Sequence, residues 1–121
     1  MTKQELKYLV DIQLFIEELE TFFLGEKKFE NFNNNVVLRR AVERMFEVIG
    51  EAIKNYKNLN TEFEISHAKE IVGLRNIIAH AYDSVDYPKL WAILINHVPQ
   101  LKTEINLLIE KYDSHLGKIT K

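Results

Sequence analysis

The stretch Asn35–Lys57, NVVLRRAVERMFEVIGEAIKNYK, decides the fold. Leu38, Val42, Met45, Ile49, Ala52 and Tyr56 recur at steps of 4, 3, 4, 3 and 4 residues, the period of an α-helix with one apolar stripe. Arg40, Arg44, Glu47 and Glu51 keep the same period on the opposite face, which reads as the solvated side. A helix this amphipathic must bury its stripe against partners, and the rest of the chain supplies them.

Upstream, Leu9, Ile12, Ile16, Leu19 and Phe23 form a second stripe, with Tyr8, Phe15 and Phe22 beside it. Thr2 and Glu5 have capping-box spacing, so this helix starts at Thr2 and is expected to end near Gly25. Residues 24–34 and 58–65 lack a period and read as connections. Ser66 is the expected N-cap of a third helix reaching about Tyr82, with Ile71, Leu74 and Ile78 inward. Residues 83–86 read as a turn. Asp86 then caps a helix with Pro88 in its first turn, where a missing N–H costs nothing. Pro99 should break that helix, and a last stretch restarts near Val98 with Leu101, Ile105, Leu108 and Tyr112 as its stripe. The expectation is an all-α protein, an antiparallel four-helix bundle whose last helix is broken near Pro99. Residues 1–116 form one domain, and 117–121 a frayed tail.

Composition narrows the function. The chain has 121 residues, 16 Lys and Arg against 18 Asp and Glu, and a net charge of −2. Such a balance gives no reason to expect broad nucleic-acid affinity. With no cysteine, disulfides, thiolate zinc sites, iron–sulfur clusters and thiol nucleophiles are excluded. No two of His67, His80, His97 and His115 stand three or four residues apart, so local spacing builds no zinc site and no metal is expected. Gly-rich phosphate loops, dinucleotide fingerprints and serine-nucleophile elbows are missing. The carboxylate pairs Glu17–Glu18 and Glu47–Glu51 read as solvated faces. Charges interrupt every apolar run, so neither a signal peptide nor a membrane span is expected, and the expected location is the cytosol.

One segment departs from plain amphipathicity: Gly73-Leu74-Arg75-Asn76-Ile77-Ile78-Ala79-His80-Ala81-Tyr82, with the pattern R-N-x-x-x-H-x-Y. Burying an arginine or a histidine without partners is costly, so these side chains belong to a cleft, an interface or solvent. At about 100° per residue, Arg75 and Tyr82 share one row and Asn76 and His80 another, roughly 100–160° away. One helix cannot aim all four at one point. A second copy of the same segment can supply the other wall, which argues for an isologous dimer with a composite polar groove on its axis.

The chain resembles the HEPN superfamily, in its HepT-like branch, the toxin of HepT/MntA-type toxin–antitoxin pairs. The resemblance rests on Tyr8-Leu9-x-Asp11-Ile12 and on Ala41-Val42-Glu43-Arg44 leading to Ile49-Gly50-Glu51-Ala52. It continues in Gly73-Leu74-Arg75-Asn76 through His80-x-Tyr82, Val85-Asp86, Leu90-Trp91-x-Ile93 and Val98-Pro99-x-Leu101. Two places depart from the family's pattern: His67-Ala68 stand where a Pro-Trp pair is frequent, and His97 where an Asp is.

The resemblance implies a dimeric, metal-independent endoribonuclease without cofactor, whose catalytic Arg and His carry over to Arg75 and His80. From the residues themselves, Asn76, four before His80, either orients the imidazole or touches the phosphate, or is a helix-surface amide; Glu51 either fixes the Arg75 fork or pairs along its own helix; and Gly50 would permit close helix packing. In H-x-Y members the partner, an MntA-like minimal nucleotidyltransferase antitoxin, adds adenylate to the Tyr, here Tyr82. That implies a type VII-like toxin–antitoxin system acting on RNA, with a tRNA end as one narrow substrate. The alternative is a non-catalytic HEPN module that holds the nucleotidyltransferase or a nucleotide.

Overall fold

A computed structural model describes residues 2–25, 27–59, 63–80 and 85–120, and for residues 80 and 113–120 the backbone alone. The described residues form α1 (Lys3–Thr21), α2 (Phe29–Asn33), α3 (Val36–Lys57), α4 (Ala68–His80), α5 (Tyr87–Asn96) and α6 (Val98–Thr120), with no strand among them. The all-α bundle is the expected one. Its helix starts follow local chemistry. Thr2 Oγ1 accepts from Glu5 N–H at 3.1 Å while the Glu5 carboxylate accepts from Thr2 N–H at 3.0 Å, a reciprocal capping box. Asn35 accepts from Leu38 N–H at 3.0 Å, and Asp86 from Lys89 N–H at 3.1 Å, with Pro88 in the first turn of α5.

α3 is central. It packs against α1 on one side and α4 on the other, α1 closes against α6, and α5 lies on α6. Ile12, Ile16, Val42, Phe46, Ile53, Tyr56, Ile71, Leu90 and Ile105 are wholly buried; a buried aliphatic of this size contributes roughly 1.5–3 kcal/mol. Polar straps fix how α1 and α6 run: Gln13 donates to Asn106 at 2.8 Å and Lys102 pairs with Glu20 at 2.9 Å, so the two are antiparallel.

Two details differ from the sequence expectation. The connection 24–34 contains α2, a single turn that the sequence could not announce by period. It forms because Phe29 and Phe32 dock on Trp91, with ring centroids at 6.0 and 5.3 Å and Phe23 closing the cluster at 5.8 Å; so short a helix is stabilised by tertiary contact rather than propensity. Secondly, Ser66 does not cap α4. Its N–H and hydroxyl both donate to the Glu104 carboxylate, at 2.7 and 2.8 Å, two charge-assisted contacts that tie it to α6. His67 then takes φ 60°, a left-handed conformation that costs a non-glycine residue roughly 1–2 kcal/mol. Its ring is held by Gln100 at 2.8 Å and stacks on His97 at 4.3 Å. The two departures from the family's pattern therefore face each other. α6 extends to Thr120. Pro99 lies in its first turn, and His97 is the junction with α5.

No helix among the described residues is long and apolar enough to cross a membrane.

Candidate active site

The site is built where α3 and α4 cross. Gly50 is buried in α3. A Cβ placed on it would lie 2.5 Å from Arg75 Cβ, 2.9 Å from Arg75 Cγ and 3.4 Å from the Ile71 carbonyl. The arginine stem occupies the volume a side chain would need, so the missing side chain at Gly50 sets the depth of Arg75.

From there the guanidinium reaches the next residue of α3. Arg75 Nη2 lies 2.9 Å from Glu51 Oε2, and Arg75 Nη1 donates to Asn76 Oδ1 at 3.0 Å. The Glu51 contact is a charge contact rather than an aligned hydrogen bond: Oε2, and the buried Arg75 Nε, have no hydrogen-bond partner among the described residues. The fork is thus oriented from two sides and still holds an unused donor. Arg75 is only 18 % exposed, whereas the Glu51 side chain is 45 % exposed, though the Glu51 oxygen that faces the guanidinium is itself buried. A carboxylate in that position contributes under about 1 kcal/mol to stability; its effect is on geometry.

The structure therefore brings Arg75, Asn76 and Glu51 together. Glu51 pairs across to α4 rather than with its own helix, and Asn76 orients the arginine rather than standing as a free surface amide. His80 is the last residue of α4; its side chain lies outside the described residues, as does Tyr82 entirely. Five residues separate Arg75 from His80 along α4, about 140° around an ideal helix.

A second polar cluster sits at the other end of α3. Glu43 is 4 % exposed. It accepts from Arg40 at 2.9 Å and from the Tyr87 hydroxyl at 3.2 Å, and Arg39 lies over the Tyr87 ring at 4.7 Å. Hydrogen bonding and charge from Glu43 hold the Arg40 guanidinium above its ordinary pKa. This cluster ties the start of α5 to α3, five residues after Tyr82. Periodicity puts Arg40 on a solvated face and assigns Glu43 no role; a carboxylate adjoining an apolar stripe with a neighbouring Arg is the available signal.

Comparison with known proteins bears on this arrangement. The family described as Ribonuclease HepT-like matches residues 12–108. The chain belongs to the HepT-like ribonuclease family. It is 36% identical over 110 residues to "Putative RNase MJ1380" of Methanocaldococcus jannaschii, covering 89% of this chain and 100% of that protein. It is 35% identical over 112 residues to "Probable ribonuclease HepT" of Thermococcus cleftensis, covering 89% and 98%. A third relative, "Putative RNase TTE0752" of Caldanaerobacter subterraneus, is 37% identical over 87 residues, 69% of this chain and 75% of that protein. No solved structure matches. The matched span takes in both α3 and α4, and with them every residue of the Arg75 site.

Proposed function

We propose that this HepT-like protein is a metal-independent endoribonuclease, the toxin of a type VII-like toxin–antitoxin pair, acting through Arg75 and His80 in a groove shared by two copies. The observation that carries this reading is the Arg75 fork, wedged over Gly50, oriented by Glu51 and Asn76, and still partly exposed. Such a fork suits a phosphate, offering two parallel donors and a fixed charge.

RNA brings its own nucleophile. The 2′-oxygen attacks phosphorus as a base removes its proton, the new O2′–P bond forms, and the P–O5′ bond breaks as an acid protonates the leaving 5′-oxygen. Imidazole serves both proton transfers near neutral pH. Arg75 offsets the charge that gathers on the non-bridging oxygens. Because an ideal helix sets positions 75 and 80 about 140° apart on one α4, the pair that meets a single phosphate comes from two copies. Adenylylation of Tyr82 by a minimal nucleotidyltransferase would set a phosphate in the same groove, where it competes with RNA for Arg75.

The test is cleavage of total RNA and tRNA in EDTA by protein purified without its partner. Cleavage is expected, and is expected to vanish in Arg75→Ala and in His80→Ala. A folded wild type that cuts no RNA leaves the non-catalytic binding module as the reading. Co-expression with the nucleotidyltransferase should add adenylate-sized mass that is missing in Tyr82→Phe.

A further inference from the structure

The chain has four arginines, at 39, 40, 44 and 75; two are committed to the fold, and Arg75 to the candidate site. Arg39 donates to the Asn33 carbonyl at 2.7 Å and covers the Tyr87 ring, Arg40 is bound to Glu43, and Arg75 to Asn76 and Glu51. Arg44 differs. Its nearest charge is Glu47 Oε2 at 3.6 Å, beyond a hydrogen bond, and its side chain is 68 % exposed. It makes no hydrogen bond among the described residues.

Its place is not random. Arg44 and Glu51 are seven residues apart on α3, two turns, so they lie on one line about 10.5 Å long. Gly50 stands seven residues before the end of α3, and Arg75 seven residues after the start of α4. The two helices therefore run as an antiparallel hairpin, and the last turn of α4, ending at His80, runs alongside the part of α3 that carries Arg44. Arg44 thus flanks the Arg75 site on the side toward which α4 continues, too far to grip the same phosphate.

We infer that Arg44 binds the phosphate of a nucleotide next to the scissile one, extending the Arg75 site along α3 into a track for single-stranded RNA. This rests on the ribonuclease reading above. Glu47 does not forbid it: a loose, exposed ion pair is worth little, so a phosphodiester takes the guanidinium from Glu47 at small cost and gains a two-point, charge-assisted contact. It also resolves a difficulty of composition. A chain of net charge −2 has no broad attractive field, so its hold on RNA must come from a few placed cations.

The experiment uses the full-length protein and a short single-stranded RNA carrying 2′-O-methyl groups throughout, which it can bind and not cut, together with the unmodified RNA. Arg44→Ala is expected to weaken binding of the methylated RNA about five- to twentyfold at low salt and to lower the slope of log Kd against log salt by about 0.7, one phosphate's worth on a single strand. On the unmodified RNA the loss should fall on KM more than on kcat, with the cleavage position kept. Arg44→Lys should restore the salt slope, and Glu47→Gln should tighten binding. Equal Kd and equal slope in wild type and Arg44→Ala overturn the inference. If wild type binds and cuts but Arg75→Ala cuts as well as wild type, the catalytic reading falls instead, and the Arg44 result still stands on its own binding data.

Discussion

The stem of Arg75 fills the space that a side chain on Gly50 would occupy, with Cβ only 2.5 Å from where the glycine's own Cβ would stand. A residue on α4 is thereby located by the absence of one on α3. The neighbouring Glu51 then receives the guanidinium at 2.9 Å, so two successive residues of α3 set both the depth and the direction of one cation.

Gly50→Ala should therefore disturb the site more than the fold. The added methyl meets Arg75 Cβ and Cγ rather than a flexible tip, so α4 must shift. Overpacking costs about 1–3 kcal/mol, partly offset by about 1 kcal/mol of helix propensity. A urea titration should show a net loss of about 1 kcal/mol, while RNA cleavage falls at least tenfold. Unchanged cleavage would mean that the depth of Arg75 is unimportant.

Glu51→Gln separates orientation from stability. Because Glu51 is half exposed, the unfolding free energy should stay within about 0.5 kcal/mol of wild type. Cleavage should fall roughly tenfold as the Arg75 fork loses its charged guide, with Glu51→Asp intermediate. A variant that matched wild type in turnover would remove Glu51 from the site.

Much of this was legible in the sequence. The 4–3–4–3–4 stripe of α3, the Thr2–Glu5 box and the Asp86–Pro88 start are local patterns, and local physics decides them. Gly50, Glu51, Arg75 and Asn76 could be singled out, and the structure brings all four together. What the sequence hid depends on contacts between distant residues. Nothing in Phe29 and Phe32 says that Trp91, some sixty residues on, will make a helix of their single turn. Nothing near Ser66 says that Glu104 will take its N–H and hydroxyl, or that His67 will stand at φ 60°. Glu43 was hidden for the same reason, since its partner Tyr87 arrives from another helix.

The Glu43 cluster should behave as a structural clasp. Glu43→Ala leaves the Tyr87 hydroxyl without its acceptor and empties a buried site, for a loss of about 1–2 kcal/mol. Tyr87→Phe should cost about 1 kcal/mol. Because both remove the same contact, the double variant should lose about 0.5–1.5 kcal/mol less than the sum. Additive losses by urea denaturation would show that the 3.2 Å contact carries no energy of its own.

Gly73→Ala tests the shared groove. Gly73 lies exposed in the middle of α4, with nothing among the described residues within 4 Å of where its Cβ would be, and its φ is not positive. Within one chain glycine has no use there, and alanine would stabilise the helix by about 1 kcal/mol. One turn on, Ile77 is an exposed hydrophobic at 38 %, and Asn76 is exposed beside it. Two copies meeting along this face of α4 would use the bare backbone for close approach and cover Ile77 as they do so. The same substitution then acts with opposite signs: the monomer gains stability while the dimer loses about tenfold or more in affinity, the equivalent of about 1.4 kcal/mol. Sedimentation across a concentration series, paired with thermal unfolding at the dilute end, reads both. A wild-type chain that stays monomeric at micromolar concentration, or an alanine variant that dimerises as tightly as wild type, would place the interface elsewhere and leave Gly73 without a role in assembly.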